Sequence, residues 1–407
     1  MTDRDRSRIR QLAYLQRELA QSERNRQLRR DWTLHGDLSA PSRPMIRIEL
    51  WTFEDCVLPP LMQCEDPEAR AMEKRLLSNI VNFDLFEDDT MVPDRFGIPM
   101  GGWFVPFGLE VKKQETGGLG HHFIPYLSDL EEDFDKLGPS RFGYDEEGER
   151  RHMEWAQELI GDILPVVPER YSIVCTPTQD IVHIMSMEDM FVAMYDAPEL
   201  FHRMMDMLTE DYLRYFDMLE REGRLRNGVA DQHLCQGTYC YTDRLRETEG
   251  PSTLKDMWLF MDSQETSSIS PEMYAEFVFP YYKRVMDRFG LVSYGCCEPV
   301  HPIWDRCLAT VENLAKVSVS PWCDEAFMGE RLRDRKAVYL RKPTPNLLGL
   351  GEPLDEEAVT QHFLRTAKCA SGCKLELAQR DVYKVRSAEE VHRYVELARR
   401  AMETYRP

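Results

Sequence analysis

The sequence predicts an α/β protein, a (β/α)8 TIM barrel with an N-terminal helical extension and a β-hairpin insertion. Three observations carry that expectation. Short apolar runs with polar ends recur along the chain, each followed by a helix-like stretch, at spacings of roughly 25–50 residues; about eight such units favour a closed barrel. No Gly-x-Gly-x-x-Gly or phosphate-loop pattern occurs, which makes a nucleotide-binding sheet the weaker alternative. The 407 residues, 43% of them hydrophobic and 10% aromatic, are enough to fill one large barrel core.

Residues 1–44 form the extension. Ile9, Leu12, Leu15 and Leu19 stand at helical spacing, the pattern of an amphipathic helix packed on the body or on a second subunit, and so point to a homodimer. Ser39-Ala-Pro-Ser-Arg-Pro44 reads as a linker, and the barrel is expected over 45–407. Met45 to Leu50 is the first strand candidate, ending at Trp51-Thr-Phe-Glu-Asp-Cys56, and a helix is expected over Pro67 to Val81.

Between residues 93 and 126 the glycine-rich segments Gly101-Gly-Trp-Phe104 and Gly117-Gly-Leu-Gly-His-His122 flank short alternating runs, so this stretch is read as a hairpin and lid. A loop pair such as His121 and His122 suits solvent or substrate contact better than metal binding. Tyr171 to Cys175 is a strand. Asp196-Ala-Pro-Glu opens a helix to about Glu220, whose Phe201, Met204, Met205, Leu208 and Tyr212 make a core stripe. Cys235 to Tyr241 and Met257 to Met261 are further strand candidates, and the helix Tyr274 to Phe289 should kink at Pro280. Strands are then expected near Leu291, Lys316, Val338 and Cys373.

Composition excludes several functions. A net charge of −20 removes the basic face that nucleic acid needs and repels polyanionic substrates. No apolar run approaches the ~20 residues of a membrane span. The charged first thirty residues contain no secretory core, and eleven cysteines, an odd number, read as reduced thiols in the cytoplasm.

The chemistry concentrates at Val292-Ser-Tyr-Gly-Cys-Cys-Glu-Pro-Val-His-Pro302. Cys296, Cys297, Glu298 and His301 at the carboxyl end of a strand are metal ligands or catalytic groups by type, and that end is where parallel α/β folds bind ligands. The competing reading is that the cysteines fill core. Adjacent cysteines point to opposite faces of a regular strand, so both reach one site only if the chain turns there. Glu265, after the Met257–Met261 strand, is a proton donor, a ligand or a helix-capping acid. Asp324, Lys342 and Arg380 sit at other strand ends as pocket residues, and Trp51, Tyr294 and Trp322 are candidate aromatic lining.

The segments Asp196-Ala-Pro-Glu-Leu, Ser270-Pro-Glu-Met-Tyr-Ala-Glu-Phe-Val-Phe-Pro280 and Tyr294-Gly-Cys-Cys-Glu-Pro-Val-His-Pro-Ile-Trp304 resemble the uroporphyrinogen decarboxylase superfamily of (β/α)8 barrels, over roughly Met45 to Glu403. The decarboxylase proper holds porphyrinogen carboxylates with an early arginine pair, where this chain has the acids of Trp51-Thr-Phe-Glu-Asp-Cys56. The resemblance therefore turns to the corrinoid-dependent methyltransferases of anaerobes. It implies a thiolate-bound zinc acting as Lewis acid, a methyl group moved between a small, possibly aromatic, methylated substrate and a corrinoid (cobalamin-type) protein partner, and hence demethylation of that substrate. Aligned on Pro302, Cys297 stands at the family's metal cysteine, Gly295 where its histidine stands, and Arg380 near its late cysteine. The implied ligand set is Cys296, Cys297, Glu298 and Cys373, with Glu265, Glu298 and His301 as catalytic groups. Two alternatives remain: a metal-independent decarboxylase or lyase, and a non-catalytic corrinoid- or protein-binding barrel.

Overall fold

The computed structural model describes residues 1–115 and 121–406. Seven strands form one curled sheet: β1 (Met45–Ile48), β2 (Ile173–Val174), β3 (Trp258–Met261), β4 (Leu291–Tyr294), β5 (Leu314–Val319), β6 (Val338–Arg341) and β7 (Lys374–Gln379). The order is β1-β7-β6-β5-β4-β3-β2, and every pairing is parallel. Helices between successive strands cover the outer face. Apolar outward positions such as Val292, Val317, Leu375 and Leu377 pack beneath them in one continuous core, the burial on both faces that parallel sheets require.

The expected eighth strand does not appear among the described residues, and the sheet stays open between β1 and β2. The free edge of β1 shows why. Its amides at Ile46 and Ile48 donate to the carboxylates of Asp89 (2.7 Å) and Asp88 (2.8 Å), while Asp89 N donates back to the Ile46 carbonyl at 2.8 Å. Side chains thus satisfy the donors that a neighbouring strand would otherwise take.

The Cys235–Tyr241 strand expectation is corrected in the same region. Gln236 and Gly237 both have φ of 76°, which reverses the chain and makes a small antiparallel hairpin, His233–Leu234 with Thr238–Tyr239. That hairpin reaches the concave face of the sheet. There Lys316 of β5 lies 2.5 Å from Glu376 of β7, both fully buried, and Thr238 bonds both side chains.

The N-terminal extension is two helices, Asp3–Ala20 and Glu23–Gly36, separated where Ser22 caps the second by accepting from Asn25 N. Ile9 and Leu12 pack in the chain's own core, whereas Leu15 is exposed. Helices Pro271–Phe277 and Phe279–Met286 meet at the break that Pro280 predicts. The hairpin excursion is present as Lys113–Glu115 paired with His121–Phe123; Gly117 to Gly120 and the side chain of His121 lie outside the described residues. No helix among the described residues is long and apolar enough to cross a membrane.

Candidate functional site

The carboxyl ends of the strands open into a cavity of about 1030 Å³. Gln264 and Glu265 follow β3, Cys297, Glu298 and Pro299 follow β4, and Trp322 follows β5. Gln179, Val182 and His183 come from the helix after β2, with His122 and Phe123 of the hairpin forming the outer wall. The lining is largely apolar, and Trp322, 72% exposed, stands at the mouth.

Gly295 makes the thiol pair possible. Its φ is +103°, and a Cβ there would sit 2.9 Å from the Ser318 Cβ, so only glycine suits this turn. The chain leaves the strand path at that point, and the two sulfurs, which a regular strand would send to opposite faces, lie 3.6 Å apart. Lys342 Nζ anchors the turn by donating to the carbonyls of Gly295 (3.1 Å) and Cys296 (3.0 Å) and to Gln236 Oε1 (2.5 Å). Arg380 Nη1 lies 3.3 Å from Cys296 Sγ, while its Nε donates to Glu49 at 2.5 Å.

These contacts separate the two thiols. The hydrogen bond from Cys297 and then the charges of Lys342 and Arg380 outweigh burial and bring the Cys296 pKa down to about 5. Cys297 is pushed up by the same shared proton, by burial and by Asp381, whose Oδ2 lies 3.5 Å away. The pair therefore holds one proton and one negative charge at neutral pH.

Three carboxyl groups surround this thiolate. Burial raises the Glu265 pKa, although its carboxylate accepts from Thr178 Oγ1 at 2.8 Å. Burial also raises Glu298, whose oxygens accept from Ser263 N (3.1 Å) and Cys296 N (2.8 Å). Asp262 is raised well above the usual carboxylate range by burial, then by Glu298 and Cys296, and its Oδ1 is buried with no hydrogen-bond partner. Of these, Glu265 and Glu298 face the large cavity.

The structure thus gathers Cys296, Cys297, Glu265, Glu298, Lys342 and Arg380. Trp51, 62% exposed, lines a separate polar cavity, to which Arg380 also belongs. Four expectations are corrected. Tyr294 points outward into the helix layer, fully buried and 2.7 Å from the Tyr274 hydroxyl. His301 Nδ1 accepts from Asp324 N at 3.3 Å and lines neither the large cavity nor the one beside Trp51. The Asp324 carboxylate caps helix Glu325–Leu332 at Ala326 N and Phe327 N. Cys373 precedes β7, at the opposite end of the strand from Arg380, roughly 20 Å away at ~3.3 Å per residue, and its thiol meets the Gly329 carbonyl.

The donor set does not fit the implied zinc. Among the described residues no three His, Cys, Asp or Glu side chains converge on one point. Glu298 is engaged by backbone amides, and a guanidinium already faces the Cys296 sulfur. Sequence reading missed Asp381, Gln236 and Glu49, which reach the pair from distant elements; Asp262, directly after a strand, is visible only as one of the polar residues at that strand's carboxyl end.

The fold is shared with a methyltransferase from Methanosarcina mazei. The two are 13% identical, with a TM-score of 0.52, over 91% of this chain and 97% of that one. No family model matches the chain. No curated protein matches it.

Proposed function

We propose that the protein is a methyltransferase that takes a methyl group from a small, apolar, methylated substrate held in the 1030 Å³ cavity. The observation that carries this reading is the Cys296–Cys297 pair, which shares one negative charge at neutral pH and places Cys297 on the wall of an apolar cavity beside Glu265. The shared fold with a methyltransferase supports it.

The Cys297 sulfur, its proton passed to Cys296 across the 3.6 Å contact, attacks the methyl carbon in line with the leaving heteroatom. An S–C bond forms as the C–X bond breaks, and X departs with the electron pair. Glu265, whose pKa burial raises, gives X its proton and is left as a carboxylate for solvent to reprotonate. Lys342 and Arg380 hold the pair in its singly charged form, and Phe123, Val182 and Trp322 exclude water from the methyl group. The methyl acceptor we assign, on the resemblance alone, is a corrinoid carried by a partner protein.

The experiment incubates the full chain with methoxybenzene, then with cob(I)alamin. Expected are a gain of one methylene mass on the peptide carrying Cys296 and Cys297, and methylcobalamin absorbance on adding the acceptor. Glu265→Gln should lower the first step about 10²–10⁴-fold. Full transfer by a Cys296→Ala/Cys297→Ala double variant would sink the reading.

A further inference from the structure

A second cavity, of about 610 Å³, fills the opening between β1 and β2. Five arginines line it. Four already have carboxylate partners: Arg75 with Glu169 at 3.1 Å, Arg95 with Asp231 at 2.5 Å, Arg170 with Glu247 at 3.3 Å, and Arg380 with Glu49 at 2.5 Å. Arg47, on β1, is different. It is 6% exposed, and among the described residues no carboxylate lies within 4 Å of its guanidinium.

The partners Arg47 does have are neutral. Nε donates to Thr90 Oγ1 at 3.3 Å, Nη1 to the Gly237 carbonyl at 3.1 Å, and Nη2 lies 3.3 Å from His233 Nδ1. The Tyr239 ring stacks beneath it, 3.7 Å from ring centroid to Cζ. A guanidinium has five N–H donors, so these three contacts leave two over. Asp88, whose carboxylate feels the Arg47 charge without touching the guanidinium, is occupied by Ile48 N, Asn82 Nδ2 and Thr90 N, each at 2.8 Å.

A buried cation without a counter-ion loses hydration and regains little from neutral acceptors. The aligned fork of a guanidinium is shaped for the two oxygens of a carboxylate. His233 adds to the match: its ring opens onto the cavity, the surrounding chain and then the Arg47 charge lower its pKa, and it stays neutral. With Nδ1 facing Arg47, Nε2 carries the proton and becomes a further donor.

From this arrangement we infer that the second cavity is a binding site for a small organic carboxylate, clamped by Arg47 and His233 over the Tyr239 ring. The site is distinct from the thiol cavity, and the inference stands whether or not methyl transfer occurs. Arg380 forms part of its wall and also touches Cys296, so one side chain links this cavity to the thiol pair.

The test is calorimetric titration of the full chain with benzoate and with its neutral analogue benzamide. Benzoate should bind at least tenfold more tightly, and Arg47→Met and Arg47→Lys should each weaken it at least tenfold. Thermal melting without ligand separates roles: Arg47→Met should be as stable as the parent or more so, since it removes an unpaired buried charge. In a Cys235→Ala background, which removes the thiol lining this cavity, alkylating the cysteine pair with iodoacetamide should leave benzoate binding intact. Equal binding of the two analogues, no benzoate binding, benzoate affinity in Arg47→Met within threefold of the parent, or loss of binding on alkylation would each overturn the inference.

Discussion

Replacing Arg380 and Glu49 together, as Arg380→Met/Glu49→Gln, tests what keeps Cys296 ionised. At 3.3 Å a full positive charge opposite a thiolate is worth about 5 kcal/mol at an effective dielectric of ~20. Glu49, 2.5 Å from the same guanidinium, offsets much of this, and the double variant removes both charges as a unit. The loss is then that of one charge-assisted hydrogen bond, about 1.5–3 kcal/mol, or about 1–2 pKa units at about 1.36 kcal/mol each. The wild-type pair should alkylate with iodoacetamide along a curve whose midpoint lies near pH 5. That midpoint should rise to about 6–7 in the variant. The midpoint belongs to the pair and is read as such. An unchanged midpoint, or a wild-type midpoint at the ordinary ~8.5 of a free thiol, refutes the electrostatic argument.

Three further outcomes follow from the same geometry. Lys316→Met leaves Glu376 buried without its cation and should destabilise the fold by about 3–5 kcal/mol in chemical denaturation. Burial alone would raise Glu376, but Lys316 brings it down to about 2 from 4.5, so this contribution is complete above pH ~4.5 and fades as pH falls toward 2; Lys316→Met should flatten that window. Tyr274→Phe should cost about 1 kcal/mol through the lost bond to Tyr294 and leave methyl transfer untouched, whereas a large activity loss would return Tyr294 to the site. Dialysis against EDTA should alter neither the alkylation midpoint nor methyl transfer; activity lost with chelation and restored by zinc would show that the pair does assemble a metal site.

Much of this architecture could be read from the chain. The apolar runs at Met45, Trp258, Leu291, Lys316, Val338 and Lys374 all became strands, because buried parallel strands announce themselves as short continuous hydrophobic stretches. Cys235 to Tyr241 looked similar but turned back at Gln236 and Gly237, since aromatic content does not reveal a reversal in φ. The missing eighth strand was equally hidden: two aspartates doing the work of a neighbouring backbone leave no periodic trace.

At the site, the pair Cys296 and Cys297 was legible because its chemistry is contiguous in sequence. Its controlling cations were seen only as residues near strand ends. The pairing of Arg47 with Gly237, 190 positions apart, could not be seen at all. Cys373 shows a further blind spot, since a cysteine beside a strand does not disclose which end it occupies.

The aspartate-lined margin of β1 has a consequence for behaviour in crowded solution. An unguarded border of a sheet invites a strand from another molecule to zip onto it. Here Asp88 and Asp89 fill the amide positions that an intruder would need, and Arg43 and Arg399 clasp Asp89 from outside. Because β1 and both aspartates are buried, Asp88→Ala/Asp89→Ala would leave two amides unpaired inside the fold, at about 1–3 kcal/mol each, and an intruding strand would reach them only once the covering segments part.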